Sequence, residues 1–321
     1  MRRCISAFLL IASIAVSAAA FPASNSSLSR RAITQDLMDQ FIRFTKLSFA
    51  ADDFLPCNSP LGLTVVKTLN DAQTDTQGFV VRDDSEKQII AAFRGSSSIQ
   101  DFLTDFSIAL VPFSSPGVTN TNNAEAHFGF LSAFNSVASD MLSAVSSELQ
   151  AHPDYELIST GHSLGAALAS LGGVSLASNF PGTPLQVFTF GQPRTGDSAY
   201  ADLAEQLIGV DKLFRAVHTS DGVPTLVPRS LGYEHHETEY WNFQDPCEYD
   251  NHRHSAEITL RLADRSDPIP ATDINNVKVC SGREDPTCSD SIPSGGINSA
   301  HLTYFGENVV NIIFDPSSVC F

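Results

Sequence analysis

The sequence predicts an α/β fold, with a central, mostly parallel mixed β-sheet flanked by helices. Three observations carry this. β-prone runs at 155–158, 185–190 and 213–218 are separated by helical patterns; a long stretch of helical spacing at 129–150 leads into the first of them; and no linker divides the chain. Strands joined through helices can lie parallel, because each crossover needs a dozen or more residues.

Ahead of those elements, Met1-Arg2-Arg3, an apolar stretch at 5–16 and Ser17-Ala18-Ala19-Ala20 follow the charged, hydrophobic and small-residue order of a secretory signal. Its apolar core is shorter than the ~20 residues that span a bilayer, so residues 1–20 are expected to be cleaved after Ala20. Residues 21–31 are rich in Ser and Asn, carry the chain's one Asn-x-Ser sequon at Asn25 and end in Arg30-Arg31, and so read as a propeptide with a dibasic processing site. Residues 32–321 are then one secreted, extracellular domain. The first 31 residues hold four of the 19 basic residues and none of the 36 acidic ones, leaving a net charge of −21 on the rest. That charge argues against nucleic acid, whose phosphates demand a positive surface. It argues equally against electrostatic attachment to anionic membranes, so any interfacial binding must come from apolar burial. No later stretch reads as a membrane helix or a repeat.

Within the domain, residues 33–49 place Leu37, Phe41 and Phe44 at helical spacing, an opening amphipathic helix. The runs 78–81 and 88–93, split by the polar turn 83–86, read as a hairpin. After a loop rich in Ser, Pro and Asn at 114–124, the helix over 129–150 repeats Phe130, Phe134, Val137, Met141 and Val145 three or four apart. Beyond Pro246 the pattern weakens, with polar residues through Asp267 and a strand expected at 273–279. The apolar tail 308–314 should pack on the core, with Cys320 placed to tie it down.

Chemistry concentrates at Gly161-His162-Ser163-Leu164-Gly165, which follows the strand at 155–158 and opens a helix beginning Ala166-Ala167-Leu168-Ala169. A serine hydroxyl is a weak nucleophile unless held on a sharp strand-to-helix turn beside a base and oxyanion donors, and the two glycines permit that turn. Ser163 is therefore the candidate nucleophile. In α/β-hydrolases the acid and the base follow in the order Ser, Asp, His. Asp221 sits in a loop just after the strand 213–218, where a turn-capping role is its alternative. Nine histidines compete for the base. His162 lies inside the turn and points away, while His127, His152, His252 and His254 fall in loops or polar segments. His235 and His236 read as a solvated surface pair rather than metal ligands. His218 rivals His301, but His301 fits the order better.

An oxyanion hole needs two amides. Leu164 supplies one; the loop after the strand 88–93, Arg94-Gly95-Ser96-Ser97-Ser98, supplies the other, with Ser96 adding its hydroxyl. Ile99, Phe102, Leu103 and Phe106 then recur at i, i+3, i+4 and i+7, a short amphipathic helix. A helix packed permanently on the core is the alternative, but its place directly after the oxyanion loop points to a mobile lid over about 97–108, covering the site in water and meeting lipid when open. The cysteines are too scattered to suggest a metal site.

Phe93-Arg94-Gly95-Ser96-Ser97-Ser98-Ile99, Gly161-His162-Ser163-Leu164-Gly165, Phe190-Gly191-Gln192-Pro193-Arg194-Thr195-Gly196-Asp197, Glu239-Tyr240-Trp241 and His301-Leu302-Thr303-Tyr304-Phe305-Gly306 together make the chain resemble the secreted class 3 lipases of filamentous fungi, an α/β-hydrolase branch. The resemblance spans nearly all of 32–321. It implies Ser163, Asp221 and His301 as a triad, Ser96 and Leu164 as oxyanion donors, a lid at 97–106, and monomeric, cofactor-free hydrolysis of acylglycerols at a lipid–water interface through an acyl-enzyme. The alternatives on the same scaffold are a feruloyl or other soluble-ester esterase, or a phospholipase A1; a lipid-binding protein without catalysis is the remote one. The apolar lid face separates them, since a soluble-ester enzyme has little need of it. Ala166 stands where the family often has glycine, a change that suits a helix interior, and the polar stretch 247–267 looks like an insertion. Once the signal is removed, Cys57, Cys247, Cys280, Cys288 and Cys320 remain, two bridges and one spare thiol. By position Cys280 pairs with Cys288 across a short loop and Cys57 with Cys320, which leaves Cys247 spare; the alternative is that Cys247 displaces Cys320 as the partner of Cys57.

Overall fold

The computed structural model describes residues 33–52, 57–95, 108–244, 272–292 and 296–320. The signal and propeptide readings, Ser96, the expected lid with Ile99, Phe102, Leu103 and Phe106, and Cys247 with the polar stretch behind it lie outside the described residues.

In chain order the first elements are α1 (Gln35–Asp52), β1 (Thr64–Asp71), β2 (Thr76–Asp83), β3 (Gln88–Phe93), β4 (Leu110–Pro112), β5 (Glu125–His127), α2 (Phe128–Ala151), β6 (Glu156–His162) and α3 (Leu164–Asn179). They continue as β7 (Leu185–Phe190), β8 (Gly196–Asp197), α4 (Ser198–Ile208), β9 (Leu213–His218), β10 (Tyr233–Glu234), β11 (Glu239–Asn242), β12 (Val277–Val279), β13 (Thr303–Tyr304), β14 (Glu307–Asn308) and α5 (Val309–Phe314). Eight strands form the main sheet in the order β1-β2-β3-β6-β7-β9-β11-β12. β3, β6, β7, β9 and β11 run parallel, while β1, β2 and β12 pair antiparallel at the two sides. A four-stranded sheet, β10-β8-β5-β4, and the β13–β14 hairpin complete the strands.

The expected hairpin pairs Asp83 with Gln88 and Gly78 with Phe93. Asp83 closes its turn by accepting from the Ser85 and Glu86 amides. β1 joins this hairpin from outside without an apolar signature. Only Leu69 of its eight residues is fully buried, so the alternation that marks a half-buried strand is missing. β6 runs four residues past its apolar run, through Ser159, Thr160 and Gly161 to His162. Its central place makes this possible, because the buried hydroxyls find partners: Ser159 Oγ donates to the Ala169 carbonyl at 2.7 Å, and Thr160 meets Ser48 of α1 at 3.0 Å. The strand expected at 273–279 is shorter, since Asp273 caps a 3₁₀ turn over Ile274–Asn276 before Val277–Val279 pairs with β11.

Side chains alternate across the sheet and build two cores. Val187 of β7 joins Phe93, Phe130, Phe134 and Leu168 on the side of α2 and α3, while its neighbours Phe188 and Phe190 join Phe41 and Phe44 of α1. Phe41 stacks on Phe305 at 4.7 Å and meets Phe188 edge-on at 5.8 Å, which seats α1 against the C-terminal segment. The apolar tail packs as expected, with Val309 and Ile312 buried in that core. Cys57 pairs with Cys320, and Cys280 with Cys288.

Candidate active site

Ser163 occupies the single position between β6 and α3, at φ 59° and ψ −125°. A residue with a Cβ pays steric strain there. The glycines on either side leave room for that turn. A Cβ on Gly161 would lie 2.1 Å from the Gly165 carbonyl oxygen, and one on Gly165 would lie 2.1 Å from that of Phe93, so β6, α3 and the end of β3 approach as closely as backbones can. Leu164, the first residue of α3, has an amide with no intrahelical acceptor, as the first helical turn requires. Gly95 packs beside the turn, since a Cβ built on it would be 3.3 Å from Ser163 Cβ. The chain thus reaches the expected oxyanion loop already next to Ser163, although Ser96 itself is outside the described residues.

Asp221 follows β9 in a tight turn, its amide donating to the His218 carbonyl at 2.9 Å. Neighbouring chain holds this turn in place: Trp241 Nε1 donates to the Thr219 carbonyl and Asn298 Nδ2 to that of Ser220. His301 comes from a 3₁₀ turn over Ser299–Leu302, capped by the Asn298 side chain at the Ala300 amide. The two meet with His301 Nδ1 2.9 Å from Asp221 Oδ2. Because the carboxylate accepts, Nδ1 carries the proton and Nε2 is left with its lone pair. The Asp221 oxygens also accept from Tyr304 Oη and from the Val223 amide. Burial opposes the charge on Asp221, but His301 and these donors outweigh it and hold its pKa below the ordinary carboxylate value. Burial, opposed by Asp221, keeps His301 below the usual imidazole value, so its neutral form prevails. Ser163 Oγ and His301 Nε2 are both buried, and neither has a hydrogen-bond partner among the described residues.

Gly191 is needed to assemble this pair. It lies just past β7 at φ 60°, and a Cβ there would fall 2.8 Å from Asp221 Oδ2, 2.8 Å from Tyr304 Oη and 2.9 Å from His301 Cε1. Arg194, in the same run, is buried and forms a two-pronged ion pair with Glu284 at 2.8 Å, joining the loop after β7 to the segment after β12.

The competing histidines are engaged elsewhere. His218 Nδ1 faces the Ala300 carbonyl at 2.8 Å and supports the segment carrying His301. Both ring nitrogens of His162 are taken, by Asp52 and by the His301 carbonyl. His235 and His236 are a correction to the sequence reading. They are buried, not solvated, with His235 Nε2 2.9 Å from the Pro224 carbonyl and His236 Nδ1 2.7 Å from that of Glu237. His127 is not a loop residue either: fully buried, it ends β5 and caps α2, its Nδ1 accepting from the Gly129 and Phe130 amides. Among the described residues, the one cluster able to present three metal-ligating side chains is Glu239 with Cys280 and Cys288, and its two sulfurs are joined in a disulfide.

A serine on a strained strand-to-helix turn, at the centre of a mixed sheet with helices on both faces, defines the α/β-hydrolase fold. Residues 90–231 match the family model "Lipase (class 3)". Over 292 residues the chain is 33% identical to a lipase of Rhizomucor miehei, covering 87% of this chain and 71% of that one. It is 30% identical to a secreted alkaline triacylglycerol lipase of Penicillium cyclopium over 82% of both chains. The crystal structure of a triacylglycerol lipase from Penicillium expansum superposes with a TM-score of 0.72 at 28% identity, covering 86% of this chain and 95% of that one. The chain belongs to the class 3 lipase family, a group of carboxylic ester hydrolases.

Proposed function

We propose that the protein is a secreted lipase that hydrolyses triacylglycerols at a lipid–water interface, with Ser163, His301 and Asp221 as its triad. The observation that carries this is the convergence of a serine at positive φ with a buried His–Asp pair on a class 3 lipase scaffold. Secretion is supported by the leader-like N-terminus and by relatives named as secreted lipases.

In this reading Ser163 Oγ attacks the ester carbonyl while His301 Nε2 accepts its proton. Asp221 holds the imidazole in the required tautomer and favours the imidazolium that forms. The oxyanion is met by the Leu164 amide at the start of α3, with Ser96 as the second donor; losing one such donor lowers kcat by about 10²–10³-fold. His301 then protonates the departing glycerol oxygen. A water, activated by the same nitrogen, releases the fatty acid and regenerates Ser163. Ile99, Phe102, Leu103 and Phe106 supply the apolar face that meets lipid, and the enzyme acts as a monomer.

The test is hydrolysis of a short-chain triglyceride below and above its solubility limit, beside feruloyl esters, a phospholipid and p-nitrophenyl esters from acetyl to stearoyl. A rate that climbs when emulsion forms supports the lipase. High feruloyl turnover with no response to emulsion overturns it in favour of a soluble-ester esterase. An Asp221→Asn variant that stays active while a His218 variant does not would reassign the triad.

A further inference from the structure

We propose that Asp52 and His162 form a buried ion pair that positions His301, with His162 held as an imidazolium between the Asp52 carboxylate and the His301 main-chain carbonyl. The inference rests on reading His301 as the base and assigns to its neighbours a role beyond the triad.

The protons can be counted from the contacts. A carbonyl oxygen only accepts, so His162 Nε2, 2.9 Å from the His301 oxygen, must carry a hydrogen. His162 Nδ1 lies 2.8 Å from Asp52 Oδ2, while Asp52 Oδ1 accepts from the Gly95 amide at 2.5 Å. One further proton therefore sits between Nδ1 and Oδ2. With an acceptor facing each ring nitrogen, His162 keeps that proton as an imidazolium. Asp52 is also the last residue of α1, where the helix dipole favours a cation in contact.

The groups facing His162 are Asp52 and Phe49 from α1, His301 and Tyr304 from the C-terminal segment, and Asp221 further off. Burial opposes its charge, but Asp52 and the His301 carbonyl prevail and raise its pKa. Its ring lies 4.5 Å from that of His301, tilted by 30°. One carboxylate thus ties together the entrance to the oxyanion loop, the nucleophile's turn and the segment carrying the base. A cation this close makes a second charge on His301 harder to acquire.

Asp52→Asn separates charge from shape. Its Oδ1 can still accept from Gly95 and its Nδ2 can donate to His162 Nδ1, so all three hydrogen bonds survive while the ion pair does not. Of the two charges removed, the His162 cation acts more strongly on His301 than the Asp52 anion does. The acid limb of kcat/KM should therefore move to higher pH, by about one unit or less, with KM unchanged. Asp52→Ala, which also loses the bonds, should lose kcat across the whole range. Independently, ring ¹⁵N spectra of the wild type, assigned with His162→Gln, should show both His162 nitrogens protonated at neutral pH. That measurement needs no turnover, so it stands whether or not His301 proves to be the base, and it decides the matter if Asp52→Asn does not fold. A neutral His162 ring, or superimposable pH profiles for wild type and Asp52→Asn, would overturn the proposal.

Discussion

Replacing Ser163 by alanine and by glycine separates two consequences of its position. At φ 59° and ψ −125° a side chain costs about 1–3 kcal/mol, and alanine, which keeps the Cβ, retains that strain. Glycine relieves it but adds about 0.5–1 kcal/mol of backbone entropy to the unfolded chain. The net expectation is that Ser163→Gly is more stable than Ser163→Ala by roughly 0.5–2 kcal/mol, a difference of a few degrees in Tm for a domain of this size. Ser163→Ala should itself exceed the wild type by about 1 kcal/mol, since it removes a buried hydroxyl with no partner among the described residues. Calorimetry at neutral pH gives the ranking, and p-nitrophenyl butyrate hydrolysis should be at background for both variants. If the glycine variant melted at or below the alanine variant, the turn would not be strained. Unaltered turnover in either would remove Ser163 from the mechanism.

Two further outcomes follow from buried titratable groups. Tyr304→Phe removes a donor to Asp221 and should destabilise the protein by about 1.5–3 kcal/mol at neutral pH. Because the folded pKa of Asp221 is depressed, its contribution is present above the unfolded carboxylate value of about 3.9 and fades as pH falls through the folded one; urea titrations should show the variant's deficit shrinking below about pH 4. His127 has its pKa lowered to about 4 by burial. Below about 6.5 the unfolded chain takes up a proton that the folded one refuses, so this site should cost about 1.4 kcal/mol per pH unit until pH nears 4. His127→Asn keeps an N-cap for α2 and should flatten that part of the stability profile; an unchanged acid slope would show that His127 is protonated in the fold.

What could be read from the chain followed the strength of its apolar pattern. α2 and the strands 185–190 and 213–218 carry dense, regular burial, and their bounds agree with the sequence to within a residue. β1 was hidden because an outer strand with Lys67, Thr68 and Asn70 offers no alternation, and the end of β6 because its small polar residues are satisfied only by distant partners. Order along the chain was enough to bring Asp221 and His301 together. The residues around them were harder to find. Asp52 looks like the end of an amphipathic helix, and its one signal is a carboxylate directly after the apolar run Phe49-Ala50-Ala51. His235 and His236 misled for the opposite reason, because adjacent polar residues suggest solvent, whereas the backbone carbonyls that pay for their burial have no sequence signature.

The Cys57–Cys320 bridge joins residues 263 positions apart, and the chain between them includes Ser163, Asp221 and His301. Any single peptide cut within that span leaves both fragments covalently joined. A clipped molecule would therefore run as intact on a non-reducing gel and could keep its residues in register for catalysis, so damage by proteases would become visible only after thiol treatment.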